Sequence, residues 1–132
     1  MTSAISPNRR AWIWPMAVAA LIFAASSRST VAGPRITGLD KVVHFSVYGL
    51  LGTLVCRQTG AGRGAVVAVL VASAFGASDE WHQSFVPGRT MELADWLADT
   101  AGAALGVAVY RRWPRYRAWL EQPVGRKGAV GS

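Results

Sequence analysis

Charge is scarce in this chain: Asp, Glu, Lys and Arg together make up 16% of its 132 residues, against about 25% in an ordinary soluble domain. Cysteine is scarcer still. The single Cys56 rules out an internal disulfide framework and a four-thiolate zinc site within one chain, and reads as a small apolar residue. Several chemical signatures are missing as well. There is no GxxxxGK[ST] or GxGxxG phosphate loop, no HExxH zinc helix and no GxSxG nucleophile elbow. Gly60, Gly62 and Gly64 therefore read as a flexible turn. No convincing internal repeat appears, and no apolar run reaches the ~20 residues that cross a bilayer upright.

What the chain does have is apolar residue, at 52%, gathered in four runs over 11–25, 42–56, 65–77 and 96–110. Each run is 13 to 15 residues long, a length that also suits buried helices of a soluble bundle. Two features favour a membrane. The third run, AVVAVLVASAFGA, lacks the polar stripe that a helix in a small soluble bundle presents to water. Trp12, Trp14, Trp81, Trp96, Tyr110 and Trp113 also stand close to run boundaries, as an interfacial aromatic belt requires. With their polar ends drawn into the bundle, such helices reach about 18 to 21 residues. The expected fold is all-α, an integral membrane bundle of four transmembrane helices.

The net charge of +7 and the tail RRWPRYRAWLEQPVGRK are of a kind that nucleic acid attracts, but the distribution points elsewhere. Ten of the fourteen Lys and Arg fall in three clusters, Arg9–Arg10, Arg57 with Arg63, and Arg111 to Lys127, each flanking an apolar run. That pattern sets membrane orientation, so the bilayer, and not nucleic acid, is the expected partner. Arg9 and Arg10 before an apolar segment could also open a signal peptide. Retention is favoured, because loss would leave three spans and place the basic tail outside. Both termini are then cytoplasmic: a segment over 1–10, a membrane domain over 11–110, and a basic tail over 111–132 that is disordered beyond Pro123.

Six of the seven acidic residues and both histidines collect toward the outer ends of the runs, and helical spacing sorts them into faces. Asp40, His44 and Tyr48 recur every four residues, with Gly52 continuing the stripe. Gly76, Asp79 and Gln83 form a second stripe. Asp95 and Asp99 stand above Gly102 and Gly106, a small-residue pair that admits a neighbouring helix closely. Glu80 and His82 fall nearer the outside and read as solvated. Tyr48 reads as a packed aromatic with a satisfied hydroxyl. Val86-Pro87-Gly88-Arg89 suits a type II turn, with Thr90 as the cap of the next helix and Glu92 complementing its dipole. Arg89 would then sit at a helix N-terminus, where an anion can be held. Six carboxylates face only Lys41, Arg89 and two mostly neutral histidines, so several acids must be solvated, protonated or bound to something cationic. Asp40, His44, Asp79 and His82 could offer ligands to zinc or manganese.

The three ordered stretches DKVVHFSVYGLLG, DEWHQSFVPGR and DWLADTAGAALG resemble the VanZ-like membrane family over roughly residues 11–110, and the Ser26-Ser27 pair after the first run agrees with it. The resemblance implies a small multi-pass protein of the bacterial cytoplasmic membrane, whose named member is associated with reduced susceptibility to teicoplanin. By motif, Asp40, Lys41, His44, Asp79, Glu80, Gln83, Arg89 and Asp95 match the family's polar positions. Asp99 departs, standing where asparagine is commoner. These nine form the candidate ligand-binding set. The expected ligand is a lipid head group or cell-wall precursor fragment, with Arg89 and Lys41 meeting anions. The alternatives are an acid/base or metal-assisted enzyme acting on a lipid-linked phosphate, with His44 and Asp79 handling protons, and a structural partner that oligomerises through the Gly102–Gly106 face. No catalytic residue and no cofactor is assigned, a divalent metal being the lesser alternative.

Overall fold

The computed structural model describes residues 12–29 and 38–121, and among them every regular element is a helix. In order these are α1 (Ile13–Ser26), α2 (Leu39–Thr59), α3 (Arg63–Gln83), α4 (Leu93–Arg112) and the short α5 (Pro114–Leu120). All four apolar runs thus fold as helices. α2 and α3 have 21 residues each and α4 has 20, about 30 Å at 1.5 Å per residue, which matches the hydrocarbon thickness of a bilayer. The polar ends do extend the runs to that length. α1 has 14 residues. Two of the helices, α2 and α3, are long and apolar enough to cross a membrane by length and composition.

α2 and α4 form the most extensive helix pair in the bundle, and glycine is the reason. A Cβ added at Gly102 would run into the backbone carbonyl of Phe45, and one added at Gly106 into that of Gly49. Gly52 lies against Ala103, whose nearest atoms would stand 3.1 Å from an added Cβ. Bare backbone on both sides lets the two axes approach and gain dispersion contacts along the seam. The Gly102–Gly106 face is therefore filled by α2 of the same chain, and a second chain could use it only by displacing α2.

α3 packs through small residues. Ala65, Ala68 and Ala72 are buried, while Val66, Val67, Leu70 and Val71 on its other face are exposed. The same inversion runs through the bundle. Asp79, Glu80, Gln83, Asp95 and Asp99 are buried, and Ile13, Met16, Leu21, Val42 and Leu97 are more than half exposed. A surface this apolar around a polar interior suits lipid and would be an aggregation hazard in water. Cys56 is fully buried, in keeping with its reading as a small apolar residue.

The connections are tighter than expected. Between α2 and α3, Gly60 takes φ 96° and Thr59 Oγ1 donates to the Gly64 carbonyl at 2.7 Å, so the glycine-rich segment is a hydrogen-bonded turn. Between α3 and α4 the expected type II geometry is present, with Arg89 N–H donating to the Val86 carbonyl at 3.0 Å and Gly88 at φ 78°. Thr90 does not cap α4. The helix begins two residues later than that reading requires, with Glu92 as its N-cap residue and no cap bond from Glu92's own side chain. The cap comes from across the bundle: Glu80 Oε2 accepts the Glu92 N–H at 2.9 Å. α5 was not foreseen within the basic tail, although Pro114 in its first turn is a readable start signal. Tyr110 donates its hydroxyl to Glu121 at 2.7 Å and ties the end of α5 to α4. The segments 1–10 and beyond Pro123 lie outside the described residues.

Leucine at Gly102 must push α2 and α4 apart, so Gly102→Leu is expected to cost at least about 1–3 kcal/mol and to lower the thermal midpoint of the detergent-purified protein. Ala104→Leu, on the exposed face of the same helix, is expected to stay within about 0.5 kcal/mol of wild type. Equal midpoints for the two variants would contradict the seam.

Candidate functional site

The close approach of α2 and α4 brings the first turns of both helices beside the last turns of α1 and α3, so four helix ends meet at one pole of the bundle. Three polar groupings result. At the rim, Lys41 Nζ reaches Asp95 at 3.1 Å, Glu92 at 3.3 Å and Asp40 at 3.5 Å. One turn deeper, His44 Nδ1 stands 2.8 Å from Asp99 Oδ1, and Asp99 is fully buried. Gly76 makes room for it, since a Cβ there would lie 3.0 Å from Asp99 Oδ2. The third grouping joins α1 to α3: Asp79 Oδ2 accepts from Ser26 Oγ at 2.7 Å and from Gln83 Nε2 at 3.1 Å. Next to it, Ser27 Oγ donates to the Phe23 carbonyl at 2.7 Å and pairs with His82 Nε2 at 3.0 Å.

Among the described residues, four buried polar atoms in this region have no hydrogen-bond partner: the Tyr48 hydroxyl, Asp79 Oδ1, Glu80 Oε1 and Asp99 Oδ2. Native interiors satisfy nearly all such atoms, so each calls for an explanation. Beside them lies a cavity of about 1030 Å³. Its lower wall is mostly apolar, from Val18, Leu21 and Ile22 on α1 and Val47, Leu50 and the ring of Tyr48 on α2. Its upper wall is polar, from Asp40, Lys41, His44, Asp79, Gln83, Arg89, Glu92 and Asp95.

Seven of the nine candidate residues thus line one cavity: Asp40, Lys41, His44, Asp79, Gln83, Arg89 and Asp95. The other two, Glu80 and Asp99, stand behind its wall next to His44. Individual placements differ from the helical-stripe reading. Asp40 is at the exposed mouth, its side chain 54% accessible and paired with Lys41, because the first turn of α2 projects past the packed part of α4. Glu80 is 2% exposed rather than solvated, since its carboxylate accepts the Glu92 N–H at the start of α4. His82 is partly covered, its ring stacked on Phe23 with centroids 4.5 Å apart. The Tyr48 hydroxyl, expected to be satisfied, has no partner.

Arg89 also differs. Its Nε donates to the Arg28 carbonyl and its Nη2 to the Ala25 carbonyl, both at 3.1 Å. The guanidinium therefore satisfies the C-terminal carbonyls of α1, where a cation complements the helix dipole, instead of waiting at the start of α4. His44 pairs with Asp99 rather than Asp79. The quartet Asp40, His44, Asp79 and His82 is not assembled as a metal cluster; among the described residues, the group with metal-ligand proximity is His44, Glu80 and Asp99. Ser26 was not singled out as a site residue. Its signal was the serine pair following the first apolar run, and its role became visible only when α1 met α3.

A helical bundle with many exposed apolar side chains, two helices long and apolar enough to cross a membrane, and buried charged residues gathered beside a cavity at one pole is an arrangement that suits a membrane protein, and among the described residues that cavity is the candidate site. A model of the VanZ/LLP1 family matches residues 4–114, which takes in α1 to α4 and every residue lining the cavity. The chain belongs to the VanZ family. No curated protein and no solved structure matches it.

Ser26→Ala removes one of two donors to a buried carboxylate oxygen, and hydrogen bonds to charged groups contribute about 1.5–3 kcal/mol. The variant is expected to lose stability in that range and to release α1 selectively, read as faster hydrogen exchange over 13–26 than over α2 to α4. Uniformly unchanged exchange would show that the Ser26–Asp79 bond does not hold α1.

Proposed function

We propose that this VanZ-family protein spans the bacterial cytoplasmic membrane four times, with both termini in the cytoplasm, and binds an envelope amphiphile through the cavity at its outer pole. The observation that carries this reading is the cavity's division into an apolar lower wall and a polar upper wall within one volume of about 1030 Å³. A pocket of this size accommodates a substantial ligand. Acyl or polyprenyl carbons fit against Val18, Leu21, Ile22, Val47 and Leu50, where they exchange bilayer hydrocarbon for apolar side chains at little net gain, so the head group supplies the selectivity. A head group fits between Lys41, Asp79, Gln83 and Asp95.

The polar wall also favours a kind of head group. Both of its cations are engaged within the protein, Lys41 with three carboxylates and Arg89 with two carbonyls. Among the described residues, the buried capacity left over on the cavity lining is the Tyr48 hydroxyl, which can both donate and accept, and one acceptor, Asp79 Oδ1. A ligand rich in donors, such as an amine, amide or sugar hydroxyl of a lipid-linked cell-wall precursor, meets that acceptor better than a bare phosphate does. An effect on teicoplanin susceptibility belongs to this proposal as the outcome of altered precursor handling.

Two measurements test it. Mass spectrometry of lipids co-purifying with wild type is expected to find an amino- or sugar-bearing lipid that drops at least about tenfold in Asp79→Asn, which keeps one oxygen for Ser26 and Gln83 but turns the free acceptor into a donor, the loss of one charge-assisted hydrogen bond. An identical lipid profile in the two proteins sinks the binding reading. A reporter fused after residue 121 is expected to be active only in the cytoplasm, and one inserted within 30–37 only outside. The reverse pattern overturns the orientation and places the cavity on the inner side.

A further inference from the structure

We propose that His44, Glu80 and Asp99 form a three-ligand site for a divalent transition metal, zinc or manganese, in the wall of the cavity. The three residues come from α2, α3 and α4, and one ligand atom from each lies within 4.8 Å of the others. His44 Nδ1 and Asp99 Oδ1 are 2.8 Å apart. Two donors bound about 2.0–2.2 Å from one ion stand about 3.0 Å apart in octahedral and about 3.4 Å apart in tetrahedral surroundings, so coordination asks His44 and Asp99 to open by a few tenths of an ångström and the three ligand atoms, now within 4.8 Å of one another, to close around the ion.

The unpartnered atoms supply the independent observation. Glu80 is 2% exposed and Asp99 is 0% exposed, yet Glu80 Oε1 and Asp99 Oδ2 accept no hydrogen bond. A buried carboxylate oxygen without a partner is costly, and among the described residues Glu80 and Asp99 each leave one beside His44. Lys41 does not neutralise them, because its ammonium is held at the rim by Asp40, Glu92 and Asp95. A divalent ion offsets both charges and gives each free oxygen a partner. The second oxygen of Glu80 is fixed by the Glu92 N–H at 2.9 Å, the kind of outer contact that orients a ligating carboxylate.

The donor set selects the metal class. One imidazole nitrogen with two carboxylate oxygens suits zinc, manganese or iron(II), whereas magnesium and calcium favour all-oxygen surroundings and copper(I) favours sulfur. Three protein ligands leave coordination positions open, and His44 lies on the cavity lining, so the open side faces the cavity. A water or a ligand oxygen entering from there completes the shell. The site rests on side-chain geometry alone and stands whether or not the cavity binds an amphiphile.

The test uses the full chain, purified in detergent with an affinity tag free of histidine, delipidated and stripped with EDTA. After incubation with Zn²⁺ or Mn²⁺ and desalting, elemental analysis is expected to find about one metal per chain, with a raised thermal midpoint. Co²⁺ is expected to give a visible d–d spectrum. Glu80→Gln and Asp99→Asn are near-isosteric and leave the neighbouring hydrogen bonds available; each is expected to weaken uptake at least tenfold while helicity and elution volume stay at wild-type values. Wild type that takes up no metal overturns the proposal, and so does uptake by folded Glu80→Gln as tight as wild type, which would move the ion to the Lys41 rim. If Asp99→Asn fails to fold, Glu80→Gln and the Co²⁺ spectrum decide. Because the protein is delipidated, metal uptake is read independently of lipid co-purification, and either result can fail without the other.

Discussion

The contact on which the rest of this molecule depends is the α2–α4 seam, where Gly102 and Gly106 admit the carbonyls of Phe45 and Gly49. Helices cannot come this close over larger side chains, and no hydrophobic drive in lipid would compensate a gap between them. Because the seam sets the spacing one turn further along, it also decides that Lys41 reaches Asp95 and that His44 reaches Asp99. The polar pole is therefore a consequence of backbone packing below it. The glycines hold no ligand, yet they fix the geometry of every group that could.

Polarity and apolarity occupy opposite places from those in a soluble domain, and each explains the other. Alanines on α3 let the helix lie close while valines and Leu70 cover its outer side. The buried charged groups gather at one pole, where Asp79 is held by Ser26 and Gln83, Glu80 by the Glu92 N–H, and Asp99 by His44. Each anchor uses only one oxygen of its carboxylate. The remaining oxygens, with the Tyr48 hydroxyl, form an incompletely satisfied interior beside a cavity that α1 helps to close. An interior of this kind has a reason to persist when something else completes it.

Much of the architecture was legible because membrane constraints are one-dimensional. Run length and the absence of a polar stripe on residues 65–77 are read along the chain, and the four helices fall where the apolar runs place them. The inward direction of Asp79, Gln83, Asp95 and Asp99 was legible for the same reason, since each repeats with a glycine at helical spacing. The VPGR turn was readable from its φ requirements. Other features were not. Glu80 looked solvated because its own helix gives it no inward neighbour; the N–H groups that bury it belong to α4. Arg89 looked free to bind an anion because the carbonyls it meets lie 61 and 64 positions away in sequence. α5 was hidden in a basic tail whose charge outweighed its single proline signal.

By itself the sequence determined that the chain is helical, that six of its seven acids belong to one pole, and that Asp79, Asp95 and Asp99 face inward, because these follow from composition and from a 3.6-residue period. Only the tertiary structure decided which partners those faces meet. It exchanged Asp79 for Asp99 beside His44, turned Arg89 toward the end of α1, and drew Glu80 inward to complete a cluster with residues 36 positions before and 19 after it. The physical reason is that a helix fixes the angle of a side chain about its own axis but not the rotation, depth or identity of the helix it faces. Those are set where backbone meets backbone, at glycines that carry no chemistry of their own.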